Sequence, residues 1–227
     1  MSAPPSCEAI LFDLDGVLVH SAAAVRRSWR RWAGRHGLAA EEVERAAHGR
    51  RTADTIRLVA GHLDAPAEAA RLEALQAEDT ADVRAGAGAA SLLSRLRPDE
   101  WGVVTSGTRL LANARLDAAG LPRPGTLVAG DDVPAGKPSP AGYLLGAMLL
   151  GRAPSRCVVV EDAGPGVQAA RAAGCPVIGV TNGGTGGGLA AADLLVEDLT
   201  WLGLRREAGE LALSAARPEP VGPGRLR

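Results

Sequence analysis

The chain has 227 residues, 46% of them apolar and only 3% aromatic, which is room for one large domain, or one domain plus a small insert, with a core built mainly from Ala, Val and Leu. Acidic and basic residues nearly cancel, at 26 against 25, which argues against a polyanion or a membrane surface as partner. Cys7, Cys157 and Cys175 are odd in number and show no metal-type spacing, so they read as small buried apolar residues in a reducing cytosol.

The predicted elements begin with Ala9-Ile10-Leu11-Phe12, a short apolar run bounded by Asp13 that reads as a fully buried strand. From about Ser21 to Val83 only helical signals follow. Ala22, Val25, Trp29 and Trp32 share one face, with Arg26, Arg27, Arg30 and Arg31 on the other; Ile56, Val59, Ala60 and Leu63 repeat the pattern, as do Leu72 and Leu75. Strand-like runs then return at Val103-Val104, Thr126 to Ala129, Cys157 to Val160 and Val177 to Val180. Helical patterns lie between them, one of them opening at Ser139-Pro140 as N-cap and first-turn proline. Continuous apolar strands alternating with helices predict an α/β fold, a doubly wound parallel sheet with a Rossmann-like core. The early helices form a small inserted bundle, placed where ligands bind in such sheets. The predicted division is a core over 1–19 and 85–214, a helical insert over 20–84 and a flexible tail over 215–227. Gly183 to Gly188 lacks the Lys-Ser/Thr ending of a phosphate loop and reads as a linker. No apolar run is long enough for a membrane span, and Met1 to Pro5 does not read as a signal peptide, so the expected location is cytoplasmic.

Chemistry concentrates at the strand ends. Asp13 and Asp15 are two apart on extended backbone and point the same way. Such a pair either holds a hard cation, divides into nucleophile and general acid, or simply shapes a turn with Gly16. Glu161-Asp162 ends a second buried strand, and up to four carboxylates converge if the two strands are neighbours. Thr105, Ser106 and Gly107 lead into a helix, where hydroxyls and free N–H groups either bind an anion or only cap the helix. Lys137 is the only lysine in a chain that otherwise uses arginine; a compact charge retained there suggests a site that a broad guanidinium does not fill.

Asp13-Leu14-Asp15-Gly16-Val17, Thr105-Ser106, Lys137-Pro138 and Glu161-Asp162, in that order, resemble the four motifs of the haloacid dehalogenase-like hydrolases over about residues 8 to 200. The inserted bundle resembles that superfamily's helical cap, and His48 to Thr52 is similar to its sugar-phosphate phosphatases and β-phosphoglucomutases. The resemblance implies Asp13 as nucleophile, Asp15 as general acid and base, and Ser106, Thr105, Gly107 and Lys137 as phosphate ligands. It implies Mg²⁺ on Asp13, Asp162 and the backbone carbonyl of Asp15, with Glu161 in or behind that set. Arg50, Arg51 and Thr52 are the expected substrate loop, with Arg51→Ala altering KM for a sugar phosphate more than for an aryl phosphate. His20 stands at the hinge where relatives commonly carry Asp and is a further candidate substrate contact. Val25 occupies the position of a mutase histidine, which favours a phosphatase for a small phosphorylated metabolite over a phosphomutase or a non-catalytic phospho-sugar sensor. Neither nucleic acid nor membrane is an expected partner, and the expected state is a monomer or small homo-oligomer.

Overall fold

The computed structural model describes residues 6–184, 188–207 and 209–215. In chain order its elements are β1 (Ser6–Cys7), β2 (Ala9–Phe12), β3 (Val19–His20), α1 (Ala22–Arg35), α2 (Ala40–Ala47), α3 (Thr52–Val59), α4 (Ala65–Glu78), β4 (Arg84–Ala85), α5 (Ala89–Leu93), β5 (Trp101–Val104), α6 (Arg109–Ala118), β6 (Thr126–Val128), α7 (Ala141–Leu149), β7 (Cys157–Glu161), α8 (Gly164–Ala173), β8 (Val177–Val180), β9 (Leu194–Val196), β10 (Leu202–Glu207) and β11 (Glu210–Ala215).

Six strands form a parallel sheet in the order β6-β5-β2-β7-β8-β9. Every residue of β2, β5, β7 and β8 is buried, as continuous apolar strands covered on both faces require. Alternate side chains divide between two apolar layers. Ile10, Phe12, Val158 and Val160 pack with Ala112 and Leu116 of α6, whereas Leu11, Val159 and Val177 pack with Ala147 of α7 and Val167 and Ala170 of α8. The sheet order reverses around β2, which puts the carboxyl ends of β5, β2 and β7 side by side, the place where open α/β sheets bind ligands.

The helices α1 to α4 run between β3 and β4, which pair antiparallel through Val19 with Ala85 and His20 with Arg84. They enclose a separate apolar cluster that includes Trp29, Trp32, Ile56 and Leu72. Trp29 and Trp32 meet edge to face at 5.5 Å, and the Trp32 indole N–H donates to Glu68 at 3.0 Å, so the polar handle of a buried ring is satisfied. The helix α4 starts under Asp64, whose carboxylate accepts from the Ala67 N–H at 3.2 Å.

Three local expectations change. Pro140 is itself the N-cap of α7, and Ser139 Oγ accepts from the Ala141 N–H at 3.3 Å one residue further out. Beyond β9 the chain forms a hairpin, β10 with β11, that pairs with β1 and buries Leu204, Leu211 and Leu213 against one layer of the core. Ala215, expected to open a tail, closes β11, while residues 216–227 and 185–187 lie outside the described residues. Among the described residues, no helix is long and apolar enough to cross a membrane.

Candidate active site

The backbone passes directly from β2 into Asp13, whose N–H donates to the Val160 carbonyl at 2.9 Å. This holds the first residue past β2 in register with the end of β7. Glu161 is the last residue of β7 and Asp162 the next. Asp13, Glu161 and Asp162 each present a carboxylate oxygen within 4.8 Å of the others, and the first two are buried.

Lys137 occupies the centre of this group. Its ammonium donates to Asp13 Oδ1, to Glu161 Oε1 at 2.5 Å and to the Val104 carbonyl at 3.2 Å. Three donors thus meet three acceptors from the ends of β2, β7 and β5. Burial of Lys137 acts to lower its pKa, but Asp13 and Glu161 outweigh it and hold the ammonium above its ordinary value. Burial pushes the Asp13 carboxyl well up; Lys137 opposes that, and Glu161 and Asp162 add to it. Asp162 is also raised by burial, against the hydrogen bond from His48. One buried cation therefore faces more negative charge than it neutralises. This hard-oxygen set, with two of its acids pushed up, fits an additional divalent cation.

Glu161 is held more completely than the other two. Its Oε1 accepts from Lys137 and from Tyr143 Oη at 2.6 Å; its Oε2 accepts from the N–H groups of Asp162 and Ala163 at 3.0 and 3.2 Å. A Cβ at Gly166 would collide with this carboxylate, so the first turn of α8 closes over it only with glycine there. Gly16 has a similar part. Its φ is +86°, and a Cβ would strike the Asp162 carboxylate. The Asn182 amide donates to the Gly16 carbonyl at 2.8 Å and secures the turn.

Asp15 points elsewhere. Its Oδ1 accepts from Ser21 Oγ at 2.5 Å and its Oδ2 from the Arg115 guanidinium. The two aspartates are thus held by different partners, Asp13 by the lysine and Asp15 by a hydroxyl and an arginine. Beside them Thr105 Oγ1 accepts from the Gly107 N–H at 3.2 Å, and Ser106 Oγ donates to the Gly49 carbonyl at 3.0 Å.

A cavity of about 960 Å³ opens over these groups. Asp13, Asp15, Asp162, Thr105, Ser106 and Gly107 all face it from the sheet side. Arg50 and Thr52 face it from the helical side, with Arg50 also donating to the Ala46 carbonyl at 3.0 Å. Two of the expected substrate residues, Arg51 and His20, do not line this cavity. The Arg51 guanidinium is paired with Asp54 and donates to the carbonyls of Gly130, Val133 and Pro134 at 3.0 to 3.4 Å. It joins the helical segment to a loop of the sheet domain, where the Asp54 carboxylate and three backbone carbonyls satisfy its planar fork. His20 is only partly exposed in the β3–β4 pair and does not line the cavity.

Sequence reasoning passed over three residues. Tyr143, the only tyrosine in the chain, is fully buried against Glu161, and its rarity was a usable signal. Arg115 lies on the buried face of α6 with Leu111, Ala112 and Leu116, a polar break in an apolar stripe. His48 Nε2 sits 3.4 Å from Asp162 Oδ2, and that contact raises its pKa; nothing in its local sequence reveals a partner 114 residues away.

A sequence profile of the haloacid dehalogenase-like hydrolases matches residues 7–174. Hexitol phosphatase A of Escherichia coli is 50% identical over 179 residues, 77% of this chain and 83% of that protein. Validoxylamine A 7'-phosphate phosphatase of Streptomyces hygroscopicus subsp. limoneus is 39% identical over 203 residues, 84% of this chain and 93% of its own length. Among solved structures, CbbY from Rhodobacter sphaeroides in complex with phosphate superposes with a TM-score of 0.73 at 26% identity, covering 85% of this chain and 95% of that one.

Proposed function

The chain belongs to the haloacid dehalogenase-like hydrolases, and from that premise we propose that it hydrolyses a sugar or polyol monophosphate through an aspartyl-phosphate on Asp13. The observation that carries this reading is the set formed by Asp13, Glu161 and Asp162 at adjacent parallel strand ends, with Lys137 reaching between Asp13 and Glu161 from the loop after β6, beneath a cavity large enough for a phosphorylated sugar.

In the first step an oxygen of the Asp13 carboxylate bonds to phosphorus as the bond from phosphorus to the substrate oxygen breaks. Asp15 acts as the general acid that delivers a proton to the departing alcohol oxygen. In the second step water bonds to phosphorus and passes a proton to Asp15. The bond between phosphorus and Asp13 then breaks, releasing inorganic phosphate and restoring the carboxylate. Ser106 exchanges its hydrogen bond to Gly49 for a phosphate oxygen, with Thr105, Gly107 and Lys137 around it. Asp13, Asp162 and the Asp15 carbonyl would hold Mg²⁺, and the bound cation would neutralise phosphoryl charge, while Glu161 fixes Lys137 behind them.

Residues 20–84 act as a cap over the described residues of the core, which spans 1–19 and 85–214. The loop from His48 to Arg51 supports this, touching Asp162, Ser106 and the Gly130–Pro134 loop in turn. Val25 lines the cavity and offers no group for proton transfer, which favours hydrolysis over a mutase. Arg50 and Thr52 remain available to the substrate.

Two predictions follow from the positions of Arg51 and Gly16. Arg51→Ala is expected to raise KM by a similar factor for hexitol phosphates and for p-nitrophenyl phosphate, since it loosens the seat of the cap. A rise confined to the hexitol phosphate would return Arg51 to the substrate pocket. Gly16→Ala is expected to weaken apparent Mg²⁺ affinity about 10- to 100-fold by displacing Asp162, read from the Mg²⁺ dependence of turnover; an unchanged dependence would remove Asp162 from the metal site.

The reaction itself is tested with a panel of hexitol, sugar and glycerol phosphates in Mg²⁺, with Asp13→Asn as blank. Phosphate release above the blank from at least one polyol or sugar phosphate is the expected result. Ligand binding without release from any of them would overturn the assignment in favour of a sensor.

A further inference from the structure

We propose that Arg115 is a positioning residue that holds the Asp15 carboxylate in place for proton transfer, and that it does so only while the cap helix α4 is seated on α6. The inference rests on the reading of Asp15 as acid and base. Arg115 is buried, and its guanidinium has two partners: Nη1 donates to Asp15 Oδ2, and Nη2 donates to Gln76 Oε1 at 2.9 Å. Gln76 is itself buried and belongs to α4. Three residues earlier on the same helix, the buried Glu73 accepts from the Thr108 N–H at 3.0 Å, where α6 begins just past Ser106 and Gly107. The cap thus holds α6 at two points, one behind the phosphate loop and one behind Asp15.

Packing alone does not call for a cation here. Arg115 shares its helix face with Leu111, Ala112 and Leu116, and a buried ion pair is commonly replaceable by well-packed apolar side chains at no loss of stability. What an apolar residue cannot do is fix a carboxylate's direction. Ser21 holds one oxygen of Asp15 and Arg115 the other, so the side chain is oriented from both ends. A single hydroxyl leaves it free to turn about the bond. The planar fork of arginine also spans Asp15 and Gln76 at once, which links a core carboxylate to a cap amide through one rigid group.

The consequence is a specific kinetic defect. Without Arg115 the substrate still binds and Asp13 is intact, but both proton transfers are slowed. For p-nitrophenyl phosphate, whose leaving group departs without a proton, the first step survives and only hydrolysis of the aspartyl-phosphate is slow.

The test uses Arg115→Leu in the full chain with Mg²⁺. For a hexitol phosphate, kcat is expected to fall about 10²-fold or more with KM little changed. With p-nitrophenyl phosphate, a stoichiometric burst of p-nitrophenolate is expected, followed by slow turnover and labelled phosphate retained on the denatured protein. Gln76→Leu keeps the contact between Arg115 and Asp15 but cuts it from α4; it is expected to show the same burst with a smaller fall in kcat, and it carries the test if Arg115→Leu does not fold. A folded Arg115→Leu with wild-type kcat, or a loss of kcat with no burst, overturns the proposal; so does a burst-free Gln76→Leu with wild-type kcat. If the wild type itself forms no phosphoenzyme and releases no phosphate, it is the phosphatase reading that fails. Turnover by the wild type without these defects in the variants defeats the Arg115 inference alone.

Discussion

Asp13→Asn is expected to eliminate phosphate release from every substrate, a fall on the order of 10⁴-fold or more, in a protein that remains folded. The substitution keeps shape and removes the oxygen proposed as nucleophile, so the other groups lining the cavity and the contacts of α1 to α4 are not expected to change. Its effect on stability has a definite sign. Burial, with the charges of Glu161 and Asp162, pushes the Asp13 carboxyl well above its unfolded value, against the pull of Lys137. A carboxyl whose pKa is raised on folding costs stability at every pH above its unfolded pKa. At neutral pH without divalent cation, the neutral amide is therefore expected to melt no lower than the wild type, since Lys137 keeps Glu161 and the Val104 carbonyl. Labelled phosphate trapped on denatured wild type but absent from the variant checks the chemistry, and thermal melts without metal check the electrostatics. Turnover within about tenfold of wild type would leave Asp13 without the role of nucleophile.

Lys137 is expected to give the largest combined loss. Lys137→Met leaves Asp13, Glu161 and Asp162 within 4.8 Å of one another with no buried cation between them. Breaking a buried pair from one side costs about 3–5 kcal/mol, and turnover is expected to vanish with it. Added Mg²⁺ is expected to recover part of the melting temperature, because it supplies positive charge to the same acids, but not the turnover. Lys137→Arg is the sharper variant. The ammonium directs three N–H bonds to three acceptors at one point, with the Tyr143 ring 5.3 Å away. A planar guanidinium is larger and cannot converge its donors in that way. A fall of about 10²-fold or more is expected from such displacement of the nucleophile. Near-normal turnover by Lys137→Arg would show that the single lysine of this chain has no special fit.

The legible parts of the site were those encoded locally. Asp13 and Glu161-Asp162 stand directly after continuous apolar runs, so reading the strands also located the acids. Lys137 stood out because every other non-histidine base is arginine. The placement of Arg51 was not legible, because an arginine in a loop says nothing about which carbonyls it will meet; its three carbonyl acceptors lie about 80 residues further along the chain. The hairpin of β10 and β11 escaped notice because its alternation is short and its partner, β1, is two residues at the other end of the described chain.

By itself the sequence determined the α/β class, the strand ends that carry acids, and the helical character of residues between the first two sheet strands. These follow from periodicity and from residue types within a few positions of each other, which local backbone geometry converts directly into direction and burial. Only the tertiary structure decided which partner each charged group takes. It separated the two aspartates, giving Asp13 to Lys137 and Asp15 to Ser21 and Arg115. It brought Gln76 and Glu73 of α4 onto α6, and it placed Arg51 on a loop outside the cavity lining. The physical reason is that a charge pays for its burial only through partners within about 3 Å, and here those partners are supplied by chain segments tens of residues apart.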